Sequence, residues 1–199
     1  MSNLKYYIFY KPFGCLSQFT KEHPDHVTLA DYCKDIPKDV FPIGRLDKDS
    51  EGLLLLSNDK TVNHKLLNPR FKHSRTYLVQ VENLPTTTAI EKLETGVEIK
   101  LKKAVHTTLP CKAELLDNQP IIPERNPPIR FRKTVPDSWL KMTLIEGKNR
   151  QVRKMCAKVG HPVLRLIRIS IEKASIKGFQ PGELIEVERL HFFRKLKLL

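Results

Sequence analysis

Hydrophobic and polar positions change period several times along the chain, and each change marks an element. Residues 5–10 are aromatic and β-branched and break at Lys11-Pro12-Phe13-Gly14, which predicts a strand running into a tight loop. Thr28 is placed to cap a short helix through Asp31 and Cys33 that ends before Pro37. The four leucines at 53–56 are too few for a helix and predict a strand covered on both faces. Ser57, Asn58 or Asp59 can cap a helix through Leu66 and Leu67, stopped by Asn68-Pro69. From Arg75, Tyr77, Val79 and Val81 alternate with Thr76, Leu78 and Gln80, the period of a strand.

Residues 86–95 then predict a helix closed by Gly96, with strands over 97–101, 111–116, 139–145 and 184–187. Between the second and third of these, residues 118–138 hold five of the 14 prolines together with Arg125, Arg130, Arg132 and Lys133. That composition predicts a long surface loop or hairpin, ordered on a partner. A helix over 150–159, at ~100° per residue, gathers Val152, Met155, Cys156 and Val159 on one side. It turns Arg150, Arg153, Lys154 and Lys158 to the other, and Gly160 with His161-Pro162 stops it. Strands and helices interleave irregularly with short links. This predicts an α+β fold with a mixed, mainly antiparallel sheet, in one domain with two lobes.

Charge adds a partner to this picture. The 199 residues carry 35 Lys+Arg against 22 Asp+Glu, a net charge of +13. Such a surplus favours encounter with a polyanion. No run approaches ~18 apolar residues, and no basic amphipathic helix or lipidation signal is present, so the expected partner is nucleic acid and not a membrane. A generic basic surface is the plain alternative. The start, MSNLKYYIFYKPFG, lacks the apolar core and cleavage site of a secretory signal. Cys15, Cys33, Cys111 and Cys156 form no C-x-x-C pair. Reduced thiols and a cytoplasmic location are expected.

Two segments concentrate chemistry. In Gly44-Arg45-Leu46-Asp47-Lys48-Asp49-Ser50-Glu51-Gly52 three acids stand at alternate positions, as in the opening of a calcium loop. That loop needs a bidentate Glu at its twelfth position, which here is Asn58, so calcium is excluded. A catalytic carboxylate held at a cleft and a solvated turn with Gly52 at an unusual backbone angle both remain. The second segment, residues 147–168, has seven Lys/Arg and no Asp or Glu, which suits contact with phosphates. Tyr77 suits either a core position or stacking on a base. The histidines show no metal spacing, and the motifs for ATP, nicotinamide and acyl-transfer chemistry are missing.

Taken in order, Lys11-Pro12-Phe13-Gly14, Gly44-Arg45-Leu46-Asp47-x-Asp49-Ser50-x-Gly52-Leu53-Leu54, Arg75-Thr76-Tyr77 and Gly147-Lys148-Asn149-Arg150-Gln151-Val152-Arg153-Lys154-Met155 resemble the pseudouridine synthases of the RsuA/RluB/RluE/RluF group. The likeness spans nearly the whole chain and is closest to members without the usual leading S4-type RNA-binding domain. It departs where the group commonly has Lys-x-Tyr in place of Arg75-Thr76-Tyr77, and Gly in place of Ser170.

The resemblance implies a pseudouridine synthase fold with helices flanking the sheet and a central catalytic cleft. It implies site-specific isomerisation of uridine to pseudouridine in large-subunit (23S) ribosomal RNA, without cofactor or metal; a monomer is expected because the sequence shows no heptad or other association signal. Asp47 would be the catalytic carboxylate, adding to the ribose C1′ or drawing a proton from the sugar. Arg153 would keep it ionised, and Tyr77 would stack on the flipped base. Lys11, Arg45, Lys148, Arg150, Lys154 and Arg168 would hold the RNA. Two rivals remain: a catalytically idle rRNA-binding or ribosome-assembly protein on the same fold, and an RNA N-glycosidase that shares Asp47 but releases uracil.

Overall fold

The computed structural model describes residues 4–129 and 135–199. Arg130, Arg132 and Lys133 of the proline-rich segment lie outside the described residues. The chain divides into two compact units, one of residues 1–73 and 168–199 and the other of residues 74–167.

The first unit is built on a hairpin of two completely buried strands, β1 (Tyr6–Lys11) and β3 (Glu51–Ser57). They pair antiparallel from Tyr6↔Ser57 to Lys11↔Gly52. The short β2 (Phe41–Pro42) pairs with the end of β3. On one face of the hairpin Tyr7, Phe9, Leu54 and Leu56 pack with Cys15, Leu29, Cys33 and Val40. On the other, Tyr6 meets the rings of Phe192 and Phe193 at 5.1 and 5.6 Å. The four leucines are wholly buried, each stabilising the fold by roughly 1.5–3 kcal/mol relative to exposure. Burial on both faces explains why they run consecutively and do not alternate.

Helix α1 (Lys60–Leu67) follows β3. Asp59 caps it by accepting from the Thr61 amide at 3.0 Å, while its second oxygen accepts from Tyr6 Oη at 2.8 Å. Thr28 and Asp31 form a reciprocal cap on a single 3₁₀ turn, Leu29–Asp31, shorter than the predicted helix. Besides β2, three elements of this unit have no counterpart in the predicted pattern of strands and helices. They are α4 (Arg189–Lys195), β10 (Ala174–Ser175) and β9 (Val163–Ile171), whose last four residues belong to this unit. The late strand β11 (Leu184–Glu186) pairs with β1.

In the second unit β4 (Arg75–Glu82) and β8 (Asp137–Leu144) pair antiparallel along their whole length, and β7 (Lys112–Leu115) adds to β8. Helices α2 (Thr87–Thr95) and α3 (Gln151–Lys158) cover one face. There Leu93, Val152, Met155 and Cys156 join Val79, Val81, Leu140 and Met142 in one core. A separate hairpin, β5 (Glu98–Lys100) with β6 (Val105–Thr107), sends Ile99 into the same core. Residues 118–129 form no helix or strand, yet they are anchored from within the unit. Arg165 is buried and donates to the Pro123 carbonyl at 2.9 Å.

Candidate active site

The Asp47 loop, residues 43–50, is braced from several sides. The Ile43 amide donates to Leu55 O at 2.7 Å, the Gly14 amide to Lys48 O at 2.8 Å, and the Ser50 amide to Asp47 O at 3.0 Å. Ser17 supplies the tightest brace. Its hydroxyl accepts from the Leu46 amide at 3.0 Å and donates to the Leu46 carbonyl at 2.8 Å. Leu46 is itself buried, so the residue before Asp47 is fixed at both peptide groups. Asp47 and Asp49 are half-buried, while Ser50 and Glu51 are buried. This is a held loop and not a solvated turn.

Gly52 ends the loop at φ +105, and a Cβ added there would lie 2.3 Å from the Arg168 carbonyl. The backbone of β9 thus approaches β3 as closely as only glycine allows.

Two residues expected on the RNA surface are turned inward. Lys11 is wholly buried, and its ammonium donates to the carbonyls of Pro12 at 3.0 Å and Cys15 at 2.6 Å. Burial lowers its pKa to about 8, although Cys15, Glu51, Asp49 and Asp47 pull the other way. A lysine in this position orders the first loop and places positive charge among three carboxylates; it has no face for a flanking phosphate. Arg168 is 6% exposed and donates from Nε to Leu53 O at 2.9 Å. Its buried Nη2 has no hydrogen-bond partner among the described residues. Arg45 is exposed.

In the second unit Tyr77 sits half-buried on β4, packed against the core. Lys148 and Arg150 are exposed on the turn before α3, and Arg153 and Lys154 are half-buried on the helix. Arg153 Nη1 donates to Val163 O at 3.3 Å. Arg150 takes the left-handed conformation, φ 52, to start the helix.

Sequence reasoning missed what holds this turn. Gln151 is buried; its Oε1 accepts from the Lys148 amide at 2.9 Å and its Nε2 donates to Glu146 at 2.6 Å. Glu146 also accepts from the Leu109 amide at 2.8 Å and meets His106 Nε2 at 3.0 Å. The one available signal was a Glu and a Gln flanking a turn otherwise free of acids.

Among the described residues no group of three or more His, Cys, Asp or Glu side chains is arranged to hold a metal ion. No helix among the described residues is long and apolar enough to cross a membrane.

The RNA pseudouridylate synthase family model matches residues 5–158. The ribosomal large subunit pseudouridine synthase E of Vibrio parahaemolyticus is 48% identical over 189 residues, covering 94% of this chain and 76% of that protein. The protein of the same name from Xanthomonas campestris pv. campestris is 45% identical over 174 residues, covering 87% and 90%. A crystal structure of pseudouridylate synthase superposes with a TM-score of 0.78 at 24% identity, over 98% of this chain and 75% of the other. That match carries the fold, and the α+β architecture agrees with the expected one. With the family model spanning most of the chain and relatives close to half identical, the chain belongs to the RNA pseudouridylate synthase family.

Proposed function

We propose that this protein isomerises one specific uridine of large-subunit ribosomal RNA to pseudouridine, with Asp47 as the catalytic carboxylate. The observation that carries the proposal is the braced Asp47 loop in a chain nearly half identical to proteins named for that substrate. The N1–C1′ bond breaks, the base turns, and C5 bonds to C1′. The proton on C5 is released and N1 gains one, so the product has the composition of the substrate. No oxidant, reductant or nucleotide is consumed.

Asp47 acts on the ribose as a carboxylate, and Lys11 supplies positive charge beside it. Tyr77 stacks on the target base once that base has left its helix, and Arg153 keeps the role the family resemblance gives it. Arg45, Lys148, Arg150 and Lys154 hold phosphates. Arg168, buried and bonded to the Leu53 carbonyl, takes no part in holding the RNA. The protein acts as a monomer in the cytoplasm, as a single catalytic domain.

Tritium release from large-subunit rRNA transcribed with 5-tritiated uridine tests this. Wild type should release about one equivalent, and Asp47→Ala none while binding RNA at near wild-type affinity. Binding without release on any ribosomal or transfer RNA would favour the idle RNA-binding protein. Free uracil among the products would favour the glycosidase.

A further inference from the structure

One exposed stretch of the first unit has no part in the site above. Residues 60–73 carry Lys60, Lys65, Arg70 and Lys72, with His64 and His73, and contain no Asp or Glu. After α1 the Asn68 side chain accepts from the Arg70 amide at 3.0 Å and caps a single 3₁₀ turn, Pro69–Phe71. Lys72 follows in the left-handed conformation, φ 49. The result is a phenyl ring 51% exposed, between two exposed cations, Arg70 and Lys72.

The Phe71 ring is held in place. His64 stands edge-on to it with centroids 6.2 Å apart and planes at 79°, and His73 lies at 6.2 Å and 38°. His73 is buried and faces inward to Glu172 at 3.4 Å, which Lys197 also meets at 2.6 Å. The acid that approaches this stretch is therefore buried and already engaged by His73 and Lys197.

A single exposed aromatic is ordinary on a protein surface. Phe41, 61% exposed, is one, and the residues before it carry both signs, Lys34 and Lys38 with Asp35 and Asp39. Phe71 differs in its charge surroundings. The side chains of Arg70 and Lys72 make no hydrogen bond or ion pair among the described residues. A rigid ring flanked by unengaged cations is how proteins hold single-stranded nucleic acid: bases stack on the ring and phosphates meet the charges.

We propose that Phe71 is a stacking platform for an unpaired base of the RNA substrate, with Arg70 and Lys72 meeting the phosphates beside that base. The proposal rests on the RNA-modifying function proposed above and extends the RNA contact beyond the residues of the four motifs.

The test uses the full chain and in vitro transcribed large-subunit rRNA. Phe71→Ala should weaken binding about tenfold without changing the salt dependence, because it removes no charge. In tritium release the loss should appear as a KM for RNA raised about tenfold. Arg70→Gln with Lys72→Gln should lower the salt slope by about two phosphates' worth. Phe71→Trp should keep wild-type affinity and lose fluorescence on binding, measured against the wild type, whose only tryptophan, Trp139, is 5% exposed. Wild-type affinity in Phe71→Ala, or no quenching in Phe71→Trp, overturns the platform. Tritium release by the wild type on the same RNA reports separately on the isomerase, so either idea can fail while the other stands.

Discussion

A single hydroxyl, that of Ser17, bonds to both peptide groups of Leu46, accepting from its amide at 3.0 Å and donating to its carbonyl at 2.8 Å. Asp47 is the next residue, so the position of the proposed catalytic carboxylate is set by a contact between residues 29 apart in sequence. Ser17→Ala leaves the buried Leu46 amide without its partner, at a cost of ~1–3 kcal/mol in stability. It also frees the carboxylate to wander, and misplacement by about an ångström costs on the order of 100-fold in rate. We expect kcat for tritium release to fall about ten- to a hundredfold with KM for RNA near wild type. A variant that melts lower but turns over at the wild-type rate would show that the brace serves stability alone.

The same loop ends on a glycine with no room for a side chain. At Gly52 an added methyl would lie 2.3 Å from a backbone carbonyl, at a φ of +105. Gly52→Ala should therefore cost at least ~3 kcal/mol, from backbone strain and from separating β3 and β9. Gly147, exposed and with nothing within 4 Å of an added Cβ, is the matched control. Gly147→Ala should stay within ~0.5 kcal/mol of wild type. Chemical denaturation of the two variants checks both values, and equal losses would contradict the contact geometry.

The pattern showed clearly the elements with one polar face or a recognisable start, and also the apolar runs of β1 and β3. The alternation at Tyr77, Val79 and Val81 gives β4; of the three candidate caps Asp59 caps α1, and Thr86, expected as the first residue of α2, caps it instead. Strand β9 escaped because Arg165 and Arg168 interrupt its apolar residues, and both are buried by finding partners inside. Charge signals exposure only until a fold offers internal acceptors, which is why Lys11 and Arg168 misled as surface contacts. The Asp47 motif could be read directly, whereas its brace at Ser17 could not. A hydroxyl bonding to backbone groups leaves no pattern in sequence.

Glu146 offers a prediction whose sign separates two roles. Removing an acid from a basic RNA-binding face should strengthen binding if charge were all that mattered. Yet Glu146 holds Gln151, the Leu109 amide and His106 together, and Gln151 fixes the Lys148 amide. Glu146→Ala should therefore weaken RNA binding by roughly tenfold and reduce its salt dependence, because Lys148 and Arg150 lose their fixed turn. Lys148→Ala with Arg150→Ala should lower the slope by about two phosphates' worth, which sets the scale for that loss. Tighter binding by Glu146→Ala would reject the positioning role.

The buried ammonium of Lys11 gives a pH signature. Its pKa is lowered to about 8 by burial, against an ordinary value of 10.5. Below about pH 8 both folded and unfolded chains hold this proton, and its contribution to stability is flat. Above that, the folded chain releases the proton while the unfolded chain keeps it, so stability rises with pH. Over about pH 7 to about pH 9 the gain from this group is ~1.4 kcal/mol. The thiols act in the opposite sense at higher pH: burial raises Cys15 and Cys111 to about 11 and Cys33 and Cys156 to about 12. From about pH 9 the unfolded chain ionises first at these four sites, and stability falls. The useful comparison is thus unfolding free energy by urea at about pH 7 and about pH 9 in wild type and Lys11→Met. Wild type should gain on the variant by ~1.4 kcal/mol over that interval, the thiols being common to both. Parallel curves would mean that the ammonium beside Asp47 is held as firmly in the fold as in water, and that burial does not set its charge.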